Sequence, residues 1–122
     1  MPPASDMVEN QHNQLLNYGK VAVIPDGGNV SGVVDLGGMT LVGFFCPGDL
    51  DGQTVSFYAR PSLDGSTYGV AGADGTVVTV AGIDATYFAL DPTKFAGIRY
   101  LLVGVGSNVS ADVSVVLALR RV

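Results

Sequence analysis

The inventory of groups able to do covalent chemistry is short. The chain has one histidine, His12, one cysteine, Cys46, and a single glutamate, Glu9. Nucleophilic catalysis needs a nucleophile, a base and a group that orients the base. His12 lies in a polar leading segment. Cys46 closes the apolar run Leu41-Val42-Gly43-Phe44-Phe45-Cys46, where a thiol behaves as a small hydrophobe and burial raises its pKa. Paired carboxylates for acid–base work would have to be aspartates. Those sit beside glycines, the position in which an Asp side chain accepts backbone N–H bonds and builds a turn. The expectation is therefore no enzyme, with no catalytic residue.

Ligand-binding patterns are equally thin. Asp49 and Asp51 form a D-x-D pair in the stretch GDLDG, and Asp64 and Asp74 occupy other Asp-Gly turns. Oxygen ligands from clustered loops can hold calcium, but the spacing D-x-[DN]-x-[DN]-G ending in Glu is missing. Ordinary turn chemistry is the expected role, with no metal and no cofactor. Gly104-Val105-Gly106 lacks the third glycine and the following helix of a phosphate cradle. Asn29-Val30-Ser31 and Asn108-Val109-Ser110 match glycosylation sequons, which matter only for a secreted chain. Ser62-Leu63-Asp64-Gly65-Ser66-Thr67-Tyr68 resembles a shortened Asp-box hairpin with Tyr in place of Trp. In that motif the Asp side chain pins the turn, so it predicts a β-hairpin and nothing catalytic.

The elements that must position these residues follow from composition and pattern. At 122 residues the chain makes one domain. It is 48% hydrophobic and only 14% charged, with a net charge of −5. Such apolar richness excludes a disordered chain, and the acidic balance opposes a nucleic-acid partner. A spanning helix needs about 20 apolar residues in a row. The longest charge-free runs, Leu36 to Gly48 and Tyr100 to Ala111, are shorter and broken by Gly. No membrane partner is expected. The start carries no basic segment followed by an apolar run, so no signal peptide is read there, and synthesis in a cytoplasm is expected. A body this small buries apolar residues poorly. Part of its apolar surface is expected to be covered by other chains.

Two regions differ sharply. Residues 1–17 are polar, with sparse apolar positions, and are read as an extended arm. Val8, Gln11, Leu15 and Leu16 could share one side of a short helix, marginal by itself in water. Met7, Val8, Leu15, Leu16 and Tyr18 are the candidate partner-binding residues. From Tyr18 to Val122, apolar runs alternate with Gly, Asp, Pro and Asn clusters, the pattern of short strands joined by turns. Strands are predicted near Gly19–Ile24, Gly32–Asp35, Met39–Cys46, Thr54–Arg60, Thr67–Ala71, Thr76–Val80, Tyr87–Ala89, Ile98–Gly104 and Ala111–Arg121. Val55, Phe57 and Ala59 share one face of their strand, and Val113, Val115, Leu117 and Leu119 share one face of the last. The strand around Tyr100–Gly104 is apolar on both faces, which predicts a central strand covered on two sides, or on one side by a partner chain. Asp91-Pro92-Thr93-Lys94-Phe95 is the one helical turn, with Asp91 as cap and Pro92 in first position. The fold class is all-β: an antiparallel β-sandwich, jelly-roll-like.

The run from Gly32 to Arg120 resembles a family of small virion β-sandwich proteins of tailed bacteriophages, capsid decoration (cement) or minor head proteins. The resemblance is carried by Val34-Asp35-Leu36-Gly37-Gly38, Thr54-Val55-Ser56-Phe57-Tyr58-Ala59, Ser62 to Tyr68, Ala89-Leu90-Asp91-Pro92, Phe95-Ala96-Gly97-Ile98-Arg99-Tyr100-Leu101 and Leu117-Ala118-Leu119-Arg120. It implies a structural protein on the capsid surface of a virion, a major capsid protein as partner and self-association as a homotrimer. The alternative is a tail- or fibre-associated binding module for a carbohydrate or receptor.

Overall fold

The computed structural model describes residues 17–121. Met7, Val8, Leu15 and Leu16, together with Glu9 and His12, lie outside the described residues. Nine strands follow in order: β1 Asn17–Ile24, β2 Val34–Asp35, β3 Met39–Cys46, β4 Thr54–Arg60, β5 Tyr68–Gly69, β6 Thr79–Ala81, β7 Thr86–Ala89, β8 Tyr100–Val105 and β9 Val113–Arg121. They form two antiparallel sheets. One has the order β1-β9-β3-β7; the other runs β2-β8-β4-β5, with β6 sharing the same edge of β4 as β5. Successive strands from β1 to β4 alternate between the sheets, and so do β7 to β9. This is the winding of a jelly roll, as the patterning predicts.

Alternation along the strands builds the core. Val55 and Phe57 of β4, and Val113, Val115, Leu117 and Leu119 of β9, point inward and are buried. Phe44 of β3 meets Phe57 across the gap between sheets, ring centroids 5.6 Å apart and edge-on. Phe57 meets Phe95 at 5.3 Å, also edge-on, and Phe44 stacks on Phe88 at 5.3 Å. Aromatic pairs favour these offset and edge-to-face arrangements. Phe95 arrives from the turn at Pro92–Lys94, which Asp91 caps by accepting from the Thr93 N–H at 3.1 Å.

The structure adjusts several predicted boundaries. Asn17, assigned to the arm, is the first residue of β1 and pairs with Arg120. The predicted strands at Gly32–Asp35 and Thr67–Ala71 shrink to two residues each, and the one at Thr76–Val80 moves to Thr79–Ala81. β8 is central, between β2 and β4, as its two apolar faces require. Its own chain covers it on both sides. Leu101, Val103 and Val105 face the core, while on the other side Leu102 is buried and the Tyr58 ring lies over Gly104.

A β-bulge at Val42 sets the register of β3. Leu41 pairs with Leu119 and Gly43 with Ala118, so Val42 is the extra residue. A bulge reverses which side chains face the core beyond it. Leu41 and Phe44 both point inward, and Phe45 is turned outward.

Candidate interaction surface

Several aspartates accept backbone N–H bonds in turns and loops. Asp51 accepts from the Asp84 N–H at 3.1 Å, Asp112 from the Asp26 N–H at 2.8 Å and Asp74 from the Thr76 N–H at 3.0 Å. Among the described residues no group of three His, Cys, Asp or Glu side chains could hold a metal ion. Cys46 is buried and donates to the Pro47 carbonyl at 3.6 Å. Burial pushes its thiol pKa up, and the nearby Asp51 and Asp84 carboxylates push the same way.

The Ser62–Tyr68 segment forms the expected turn, closed by the Gly65 N–H on the Ser62 carbonyl at 3.0 Å. The residue that straps it is Arg60. Its Nε donates to Thr67 Oγ1 at 2.9 Å and its Nη1 to the Leu63 carbonyl at 3.2 Å. Arg60 lies just upstream of the motif, on β4, and that contact was not legible in the motif itself.

The outer face of the sheet β1-β9-β3-β7 carries the most distinctive surface. Val21 pairs with Val116, Val116 with Phe45, and Phe45 with Tyr87. These four residues therefore form one apolar row across all four strands. They are 50%, 40%, 51% and 44% exposed, so the row is open to solvent. Val23 extends it on β1, and the Phe45 and Tyr87 rings pack at 4.8 Å. The neighbouring row is built from small residues: Gly19, Ala118, Gly43 and Ala89. The Tyr87 hydroxyl lies over Gly43, where a Cβ would collide with it. Between the two rows is a shallow depression of about 330 Å³, lined by Gly19, Phe45, Tyr87, Val116 and Ala118. Contiguous apolar surface rimmed by polar residues marks interaction sites.

Charge is separated along the strands. Lys20, Arg60, Lys94, Arg99, Arg120 and Arg121 sit at the end where β1 begins and β9 finishes, where they outnumber Asp35, Asp64 and Asp91. Asp26, Asp49, Asp51, Asp84 and Asp112 sit in the loops at the opposite end. At the basic end Asp35 is clamped by Arg99, Nε to Oδ1 at 3.1 Å and Nη2 to Oδ2 at 3.2 Å, and Lys20 donates to the Asp35 carbonyl. The Arg99 guanidinium and the Gly37 N–H hold the Asp35 carboxyl below the usual carboxylate range. Arg99 also lies over the Tyr100 ring, 5.2 Å from its centroid.

Of the candidate partner-binding residues, only Tyr18 is among those described; it stands in β1 opposite Leu119. Sequence reasoning missed the apolar row. The period of two in the last strand puts Val116 on the face opposite Val115 and Leu117, but joining it to Val21, Phe45 and Tyr87 requires strand order and register. No protein-family model, no curated protein and no solved structure matches this chain.

Proposed function

We propose that this chain is a structural protein of a tailed-bacteriophage virion, which decorates the capsid and stabilises it by bridging neighbouring major capsid subunits. The observation that carries the reading is the exposed row Val21, Val116, Phe45 and Tyr87 on a rigid sandwich, together with the resemblance from Gly32 to Arg120. A cement protein catalyses nothing. It works by adding interface that must be lost before the shell can open. An interface of standard size, about 1,600 Å², supplies useful affinity, and repetition around a symmetry axis multiplies it through effective concentration. β1 begins at the basic end of the sandwich, and residues 1–16, which precede it in the sequence, are the proposed reach toward neighbouring subunits. Mass spectrometry and cryo-electron microscopy of purified particles test the reading. High copy number on the head is expected; presence only in infected-cell extracts overturns it.

A second reading is a tail- or fibre-associated module that binds a carbohydrate or receptor. Tyr68 favours it: the ring is 61% exposed beside a shallow depression lined by Ala59, Arg60, Pro61 and Ile98. Jelly rolls occur among lectins as well as viral capsid proteins, so the fold is neutral between the two. Glycan-array binding lost in Tyr68→Ala supports this second reading, and a blank array dismisses it.

A further inference from the structure

We infer that two copies of this chain pack face to face through the outer surface of the β1-β9-β3-β7 sheet, antiparallel, about a two-fold axis beside Val116. Two features carry this. The first is the apolar row of Val21, Val116, Phe45 and Tyr87, which runs across the middle of the face. The second is the charge pattern along β9. On the outward side of this strand Ser114, Val116, Ala118 and Arg120 follow at every second position, and the exposed Asp112, the residue just before the strand, continues that spacing. Asp112 and Arg120 are therefore equally spaced about Val116, about 13 Å to either side.

A two-fold interface is isologous, so the surface must complement itself. Turning a second copy end for end about Val116 sets Arg120 of each over Asp112 of the other. The basic end of one sandwich then lies along the acidic end of its mate. A parallel arrangement would set like charges together, which is repulsive. Packed sheets keep their strands within about 30° of alignment, so the match extends from the centre to both ends. The row lies along that axis, so Val21, Val116, Phe45 and Tyr87 of one copy each meet their own counterpart in the other.

This inference gives to a second copy the same row that carries the virion reading, and the two are told apart by outcome. A dimer that binds no capsid sinks that reading and leaves this one intact, whereas a capsid-bound monomer does the reverse. The experiment is sedimentation equilibrium on the full chain and on Arg120→Asp, Asp112→Arg and Val116→Lys, with circular dichroism to confirm folding. The expected parent species is a dimer. Each charge reversal alone puts like charges opposite one another twice per dimer and weakens association about tenfold at low salt. An equimolar mixture of Arg120→Asp with Asp112→Arg restores both attractive pairs, so a heterodimer forms with near-parental affinity. Val116→Lys leaves a folded monomer. A monomeric parent, a trimer, or a dimer indifferent to all three substitutions overturns the inference. So does a mixture that associates no better than its two components. The rescue is a readout that misfolding of either single variant cannot imitate.

Discussion

The carboxyl groups of Asp35, Asp74 and Asp91 all titrate below their ordinary value of 3.8. The largest cause is the Arg99 guanidinium for Asp35, the Thr76 N–H for Asp74 and the Thr93 hydroxyl for Asp91. A folded-state pKa below the unfolded one means that the ionised form is favoured by folding. Their contribution is complete at neutral pH and is lost as pH falls through 3.8 toward the folded values. Urea midpoints should therefore hold steady through the mildly acidic range and decline below about pH 4.5. The triple variant Asp35→Asn, Asp74→Asn, Asp91→Asn should show a shallower decline. All three groups are exposed, so the effect is modest and screened by salt. Gly82 is a more stringent residue. Its N–H donates to the Gln53 carbonyl at 2.7 Å, and a Cβ there would strike the Leu50 carbonyl oxygen. Backbone cannot step aside as a side-chain tip can. Gly82→Ala should cost about 1–3 kcal/mol in denaturant unfolding.

Among the elements, β4 is the strand with three partners in its own sheet and an aromatic contact to the other. It pairs with β8 on one side and with β5 and β6 on the other, and its Phe57 ring touches both Phe44 and Phe95. Truncating that ring leaves a cavity where three aromatics meet. Phe57→Ala should lower stability by about 3–5 kcal/mol, measured by urea unfolding. The full-length strands β3, β4 and β9 were legible because their apolar runs are long. The short β2 and β5 were over-predicted, since an apolar run continues after ladder pairing ends: Val70 stays buried beyond β5. The Arg60 strap belongs to this scale too. Arg60→Ala should leave the melting temperature nearly unchanged and speed proteolytic cleavage between Pro61 and Tyr68, because only an exposed loop is released.

At the scale of the molecule, Cys46 reports on global opening. The thiol is buried and its pKa is raised, so a thiol reagent should modify it only as fast as the sandwich opens, and denaturant should accelerate labelling in step with unfolding. Deleting residues 1–16 spares β1 and its pairing with β9. The shortened chain should melt as a folded sandwich by circular dichroism, and under the proposed virion role a capsid-binding assay should show weaker attachment; a chain that fails to fold would make that segment part of the core. The sequence alone determined an all-β sandwich. A period of two along β4 and β9 can satisfy only strands with one face buried, and Gly and Asp punctuation fixes where they turn. It also determined that Asp91 caps a turn and that Asp74 closes one, since those bonds are local in the chain; the bonds of Asp51 to the Asp84 N–H and of Asp112 to the Asp26 N–H join distant segments and were decided by the fold. Only the tertiary structure decided which of Phe44 and Phe45 faces out. Unbroken alternation from Leu41 would send Phe45 inward; the extra residue at Val42 reverses the side chains beyond it. Tertiary structure likewise brought Val21, Val116, Phe45 and Tyr87 into one row from four separated segments, because strand order and register are set by long-range pairing.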